Sequence, residues 1–371
     1  MKARRVPGAK VRYAVVGAGW ISQAAFMPAV AGSGNSELAA LVTGDPEKAR
    51  ALGARYGLRH LLGYDDYPRL LASDEIDAIY LALPNGMHRD YAVPALEAGL
   101  HLLLEKPMAV SEEECREIEV AARRSGAELM IAYRLHFEPA TLEAIRLVRA
   151  GRIGDPRLFT CVFSQPVAPT NHRARQGYWA GPVADMGPYP INAARHLFGA
   201  EPVEVTAMGA RDPLLGFDFD ASVAVTLRFP GDRLAQFTVS YGAASTGSYR
   251  IVGTDGDLEV APGFTFGEPI HHRLKVGGRV HERAFPPTDQ FAGELRYFSD
   301  CILHDRRPEP DAEEGLADVR IIAAIERALG HGGVERLEPF ERARRPEPEQ
   351  VQEVPPAKAP DLVNAAAPGT G

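Results

Sequence analysis

A lysine placed directly after a buried strand can do chemistry, and Lys106 is such a lysine. It follows the apolar run His101-Leu-Leu-Leu-Glu105, and Pro107 fixes the turn that points its side chain off the sheet edge. Partly desolvated there, an ammonium can polarise a substrate oxygen or take part in proton transfer, although a lysine after a strand is more often a surface charge. Far upstream, Val11-Arg-Tyr-Ala-Val-Val-Gly17-Ala-Gly19-Trp20-Ile21-Ser22 leads a β-branched run into a glycine turn and then a helix-compatible segment. Gly17 permits the sharp turn, and Gly19 lets the backbone approach a pyrophosphate. The helix start at Trp20 and Ile21 supplies unpaired N–H groups for the phosphates. The third position holds Ser22, so the pattern is G-x-G-x-x-S, a weak signal when taken alone.

Two further loops fall where a dinucleotide site needs them. The second strand of such a unit usually ends in an acid that binds the ribose hydroxyls. Here Thr43-Gly44 stands in that place, and a carboxylate comes only at Asp45. A neutral Thr and the Gly44 N–H suit a 2′-phosphate, with Lys48 one helical turn on supplying charge. The plainer alternative makes Asp45 a helix cap and Lys48 a solvated helix residue. Leu83-Pro84-Asn85-Gly-Met-His88 follows another buried strand, at the carboxyl edge where open α/β sheets bind ligands. Asn85 is placed to contact cofactor and His88 to lie near it, although a loop histidine is more often structural.

The elements that position these residues follow from periodicity. Strand-like and helix-like segments alternate through the first third: Leu38–Thr43, then a helix from Pro46 to Tyr56, then strands at Ile76–Leu83, His101–Glu105 and Glu128–Tyr133. Ser111-Glu-Glu-Glu carries a helix-capping pattern. Such alternation predicts a doubly wound parallel sheet over residues 11–134, a Rossmann domain, preceded by an N-terminal extension, 1–10. After Arg152 the texture changes. Val223, Val225, Leu227 and Phe229 alternate with polar residues, as do Ala235, Phe237, Val239 and Tyr241, and Asp255-Gly256 signals a hairpin. These features predict an α+β domain over 135–341, with an open, largely antiparallel sheet. From Arg342 the chain is rich in Pro, Ala and Glu without apolar periodicity, and 342–371 reads as a disordered tail.

Composition narrows the partners. A net charge of −8 with scattered Lys and Arg argues against nucleic acid. Three widely separated cysteines, Cys115, Cys161 and Cys301, suggest neither a disulfide framework nor a zinc cluster, and a reducing cytoplasm suits them. No stretch is apolar and long enough to span a bilayer, so no membrane partner is expected. No HExxH or Cys-rich spacing accompanies His196 or His271-His272, so no catalytic metal is expected either.

The glycine loop, the Leu83-Pro-Asn-Gly-Met-His88 loop, Glu105-Lys106-Pro107 and the later sheet domain together resemble the glucose–fructose oxidoreductase, inositol dehydrogenase and MocA family, over roughly residues 10 to 340. The resemblance implies that Lys106 is the catalytic lysine. A second landmark is Asp185-Met-Gly187-Pro-Tyr189-Pro-Ile-Asn192, where most members have Asp-x-Gly-x-His-x-x-Asp. Tyr189 and Asn192 replace the His and the final acid. That departure is similar to the branch holding glucose–fructose oxidoreductase, xylose dehydrogenase and dihydrodiol dehydrogenase, in which a Tyr is the proposed acid–base group. Thr43-Gly44-Asp-Pro-Glu-Lys48 also resembles that branch's NADP selector, and Tyr133-Arg134 its active-site pattern. A free phenol, with a pKa of about 10, is a poor base at neutral pH, and an ammonium such as Lys106 beside Tyr189 favours the phenolate. Asp185, four residues earlier, is placed to orient Tyr189 or the substrate.

The resemblance therefore implies an NADP-dependent enzyme, with NAD as an alternative cofactor, that moves hydride between nicotinamide and a sugar or polyhydroxylated alcohol. Lys106, Tyr189 and Asp185 carry the catalysis, and Arg134 helps to position the substrate. A homodimer or homotetramer through the C-terminal sheet is implied as well. Three rival readings stand beside this one. They are an NAD-dependent cyclitol or sugar-derivative dehydrogenase, an enzyme whose bound cofactor shuttles hydride between two sugars, and a nucleotide-sensing regulator without turnover.

Overall fold

A computed structural model describes residues 9–342 and 344–369, so residues 1–8 of the expected extension lie outside the described residues. The chain forms two compact units. One takes the chain up to Arg134 with Thr288–Gly315 and Gln352–Ala366. The other takes Leu135–Pro287, Leu316–Val351 and the chain from Ala367. The expected contiguous division at 134 and 341 is thus corrected, because two later segments return to the first unit.

The first unit is built on six parallel strands: β1 (Val11–Val16), β2 (Ser36–Val42), β3 (His60–Leu62), β4 (Ala78–Leu81), β5 (His101–Leu104) and β6 (Leu129–Ile131). Their order is β3-β2-β1-β4-β5-β6, as expected for a Rossmann fold. Every residue of β4 is fully buried, which explains the unbroken apolar run in the sequence. The intervening helices are α1 (Met27–Ser33), α2 (Pro46–Tyr56), α3 (Tyr67–Leu71), α4 (His88–Glu97) and α5 (Glu112–Ser125). Helix α2 starts where the sequence places it: Asp45 accepts hydrogen bonds from the N–H groups of Glu47 and Lys48, and Pro46 occupies the first turn. Ser111 caps α5 through the Glu114 N–H in the same way. The strand order reverses between β1 and β4, so the crevice outside their carboxyl ends is the natural ligand position.

The second unit carries nine strands: β7 (Pro156–Ser164), β8 (Glu204–Ala210), β9 (Ser222–Phe229), β10 (Arg233–Ser240), β11 (Thr246–Gly253), β12 (Gly256–Ala261), β13 (Ile270–Val276), β14 (Arg279–Phe285) and β15 (Glu335–Arg336). Their order is β14-β13-β12-β11-β7-β10-β9-β8-β15. All pairings are antiparallel except β7 with β10. Val223, Val225, Leu227 and Phe229 are buried on one face, as their alternation requires. They pack in one core with residues of α6 (Pro139–Arg149), α7 (Pro182–Met186) and α8 (Pro188–Phe198). Leu158, Val162 and Met208 remain exposed, Met208 by 77%. Arg195 of α8 is completely buried, yet its charge is matched. Glu201 accepts two of its hydrogen bonds, at 2.6 and 3.1 Å, and Asp318 a third at 2.7 Å.

Two helices follow the sheet, α9 (Gln290–Leu303) and α10 (Ala312–His331). Helix α9 belongs to the first unit, where Arg296 donates to the carbonyls of Ser33 and Gly32 and so satisfies the end of α1. The segment after Arg342 is not the expected disordered tail. Val354 is buried in the first unit, and its carbonyl accepts from the Asp289 N–H at 2.7 Å. Arg55 donates to the Asp361 carbonyl at 2.6 Å. Composition misled here because a strap needs no amphipathic period; it borrows its partners from a body already folded. Among the described residues no helix is long and apolar enough to cross a membrane.

Candidate active site

The glycine turn is shaped as the sequence demands. Gly17 leaves β1 with φ +97°, and a Cβ there would meet the Ala82 carbonyl oxygen at 2.4 Å, so only glycine fits. A Cβ on Gly19 would meet no atom within 4 Å, which leaves the open approach a pyrophosphate needs. Trp20 and Ile21, half-buried, begin the helical turn, which passes through a π-helical stretch at Ser22–Phe26 before α1. Such stretches are frequent at functional sites. Ser22 explains its own departure from the usual small residue: its hydroxyl donates to the Gly17 carbonyl at 2.6 Å, locking the turn from within.

At the selector, Thr43 is buried after β2 and its hydroxyl accepts from the Asp45 N–H at 3.3 Å. Asp45 is the α2 cap. One of its oxygens takes the Glu47 and Lys48 N–H groups, and the other accepts from the Asn364 side chain at 3.1 Å. Those hydrogen bonds hold its carboxyl below the usual carboxylate range, the one from Asn364 first. Lys48 lies half-buried in the first turn of α2. These residues suit a 2′-phosphate better than a pair of ribose hydroxyls, because Asp45 is already committed to the α2 cap and to Asn364.

Lys106 follows β5 through Glu105. The Glu105 side chain accepts from the Tyr80 hydroxyl at 2.7 Å and from the Lys106 N–H at 3.2 Å. Burial pushes the Glu105 carboxyl up, and the Lys106 charge opposes that shift. Leu83 is buried, Pro84 exposed and Asn85 half-buried at the end of the β4 loop. His88 is engaged within the protein. It is fully buried, with its ring nitrogens 2.9 Å from the Pro107 and Leu83 carbonyl oxygens, and burial lowers its pKa. It staples the Pro84-Asn85 loop to the lysine turn. These contacts place it behind the loop expected to meet the cofactor. Arg134 is also buried, 5% exposed: it donates to the Gln290 side-chain oxygen and lies 5.9 Å from the Phe291 ring centre. The motif at Tyr133-Arg134 gave no sign of the Gln290 contact, since Gln290 lies far along the chain.

In the second unit, Asp185 ends α7 and Tyr189 opens α8. Gly187 joins the two helices with helical dihedrals, and a Cβ there would meet the Val183 carbonyl oxygen at 2.2 Å. The continuous helical path sets Asp185 and Tyr189 one turn apart, and both are half-buried while the three residues between them are buried. Asp185 accepts from the Tyr241 hydroxyl at 2.9 Å, and Arg173 lies 3.8 Å away. The Tyr189 ring is framed by Phe163 and Phe264, with centroids 5.4 and 5.7 Å away. Asn192, which replaces the family acid, is buried and pairs with His136 at 2.8 Å. Sequence reasoning missed Tyr241 and Arg173 as supports of Asp185. Tyr241 reads only as a core residue of an alternating strand, and nothing local reveals where its hydroxyl ends. The cysteines are all buried, and burial pushes their thiols up, so none is an activated nucleophile.

The family model described as "Oxidoreductase family, NAD-binding Rossmann fold" matches residues 11–133, and the "GFO/IDH/MocA C-terminal domain" matches residues 141–259. The D-xylose 1-dehydrogenase [NADP(+)] of Haloarcula marismortui is 33% identical over 88% of this chain and 93% of its own length. A dTDP-3,4-didehydro-2,6-dideoxy-alpha-D-glucose 3-reductase of Saccharopolyspora spinosa is 30% identical over 86% of this chain and 96% of its own. Among solved structures, the aldose-aldose oxidoreductase of Caulobacter crescentus complexed with glycerol superposes with a TM-score of 0.83 at 34% identity, covering 88% of this chain and all of that one. A 3-ketoreductase from Actinomadura kijaniata, in complex with NADP and TDP-benzene, has a TM-score of 0.80 at 26% identity over 86% of this chain and 98% of that one.

Proposed function

The chain belongs to the GFO/IDH/MocA oxidoreductase family, and from that premise we propose that it is an NADP-dependent dehydrogenase of sugars or polyhydroxylated alcohols. One observation carries the reading. The Gly17 turn, the Thr43-Gly44 selector and Lys106 all lie at the carboxyl ends of strands β1, β2 and β5 of one parallel sheet. Relatives named for NADP-dependent oxidation of xylose and the structural neighbour named for aldoses support the substrate class.

Bound nicotinamide supplies the acceptor for a hydride leaving the substrate carbon. The chain's residues manage the proton. Tyr189, acting as the phenolate, takes it from the substrate hydroxyl and becomes the neutral phenol, and the Lys106 ammonium stabilises the negative charge that develops on the substrate oxygen. Asp185, fixed by Tyr241 and Arg173, accepts hydrogen bonds from neighbouring substrate hydroxyls. His88 and Glu105 hold the Lys106 turn in place. The NAD alternative needs a free acid for the ribose, and Asp45 is already engaged by α2 and Asn364.

The reading extends to assembly and location. The exposed face bearing Leu158, Val162 and Met208, with a shallow concavity of about 780 Å³ lined by Thr160, Thr226 and Gln236, serves as a homodimer or homotetramer contact. The three free cysteines suit a reducing cytoplasm. A panel of aldoses, polyols and dihydrodiols, followed by absorbance of reduced nicotinamide with NADP and with NAD, tests the proposal. Reduction of NADP by an aldose is the expected result. Cofactor binding without turnover on any member would point instead to a nucleotide-sensing regulator.

A further inference from the structure

We propose that Asn364, on the strap formed by the C-terminal segment, is a specificity-determining positioning residue of the dinucleotide site. The inference rests on the reading of Thr43-Gly44 and Lys48 as the 2′-phosphate selector. Neither family model reaches past residue 259, so this strap lies outside the parts of the chain those models describe. Two consecutive strap residues bind the two loops such a site requires. Val363 donates its N–H to the Gln23 side-chain oxygen at 2.8 Å, and its carbonyl accepts from the Gln23 amide at 2.9 Å. That same amide group donates to the Ala18 carbonyl at 2.9 Å, inside the Gly17-Ala-Gly19 turn, and Gln23 is fully buried. One residue on, the Asn364 amide donates to Asp45 at 3.1 Å and to Glu47 at 3.0 Å.

The second contact bears on selectivity. Asp45 and Glu47 flank the selector and carry the charge that most opposes a 2′-phosphate there. One amide with two hydrogens holds an oxygen of each carboxylate against the strap, so where those charges sit beside the selector depends on Asn364. Asn364 adopts φ +46°, a left-handed conformation that asparagine tolerates better than most residues. Asn364→Gly therefore keeps the backbone while removing the donor. Asn364→Asp keeps the shape and places a third carboxylate against the other two.

The test is calorimetric titration of the full-length protein with 2′,5′-ADP and with 5′-AMP, which differ only in the 2′-phosphate. Asn364→Asp is expected to weaken 2′,5′-ADP by about 3- to 10-fold, the scale of a partly exposed charge contact, with 5′-AMP nearly unchanged. Asn364→Gly should show a smaller loss in the same direction. A wild-type preference for 2′,5′-ADP that both variants leave intact, or equal weakening of both probes, overturns the role of Asn364 alone. A wild-type protein that binds the two probes equally overturns the NADP selector and this inference together.

Discussion

Gln23 and Val363, 340 positions apart, exchange two hydrogen bonds of 2.8 and 2.9 Å, so the last part of the chain is held by the helix that follows the first glycine turn. The Gln23 amide is fully buried and would lose partners on both sides if the strap were removed.

Truncation after Arg342 should therefore destabilise the protein, the reverse of what composition suggests. Deleting Val354 forfeits about 1.5–3 kcal/mol of apolar burial at most, and the Gln23 side chain exchanges its two Val363 bonds for water. Thermal melts of the full-length and truncated chains check this. An unchanged melting temperature would show that the strap contacts carry no net energy.

Tyr189→Phe keeps the ring between Phe163 and Phe264 and removes only the hydroxyl. Turnover should fall by about 10²–10⁴-fold, the usual contribution of a positioned general acid or base, with folding and NADP affinity retained. Lys106→Met should do similar damage, and the double variant should be little worse than either single one if the pair acts as a unit. Steady-state rates on the best aldose decide the matter: near-normal turnover by Tyr189→Phe removes it from the mechanism.

Lys48→Ala should weaken NADP by about 1–3 kcal/mol, the range for a charge-assisted hydrogen bond, and leave NAD nearly unchanged. Fluorescence titration with both dinucleotides measures the difference. Equal losses would return Lys48 to the role of a solvated helix residue.

Arg195→Met should destabilise the second unit by about 3–5 kcal/mol, because the fully buried Asp318 would lose its ion pair with Arg195, while Glu201 keeps Arg345. Denaturant midpoints at neutral pH test it. Replacing Arg195 and Asp318 together by apolar residues should recover part of the loss, since the desolvation of that buried pair disappears with it.

Much of the first unit was legible because its signals are local. Strand β1, the Gly17 turn and α2 with its Asp45 cap follow from patterns spanning a dozen residues, and backbone sterics and capping act over that range. The position of Lys106 after β5 was equally local, and so was the face of β9 that carries Val223, Val225, Leu227 and Phe229.

What depended on distant partners was not legible. His88 became a staple because Pro107 and Leu83 both present carbonyls to its ring, and Arg134 turned inward because Gln290 lies beside it. Tyr241 supports Asp185, and Asn364 reaches Asp45, through side chains whose partners lie far along the sequence. The amino-acid sequence by itself determined the dinucleotide-binding turn, the lysine that follows its strand and the alternating sheet. Only the tertiary structure decided which polar side chains face outward and which are used up inside, because a hydrogen bond depends on distance in space and carries no trace in periodicity.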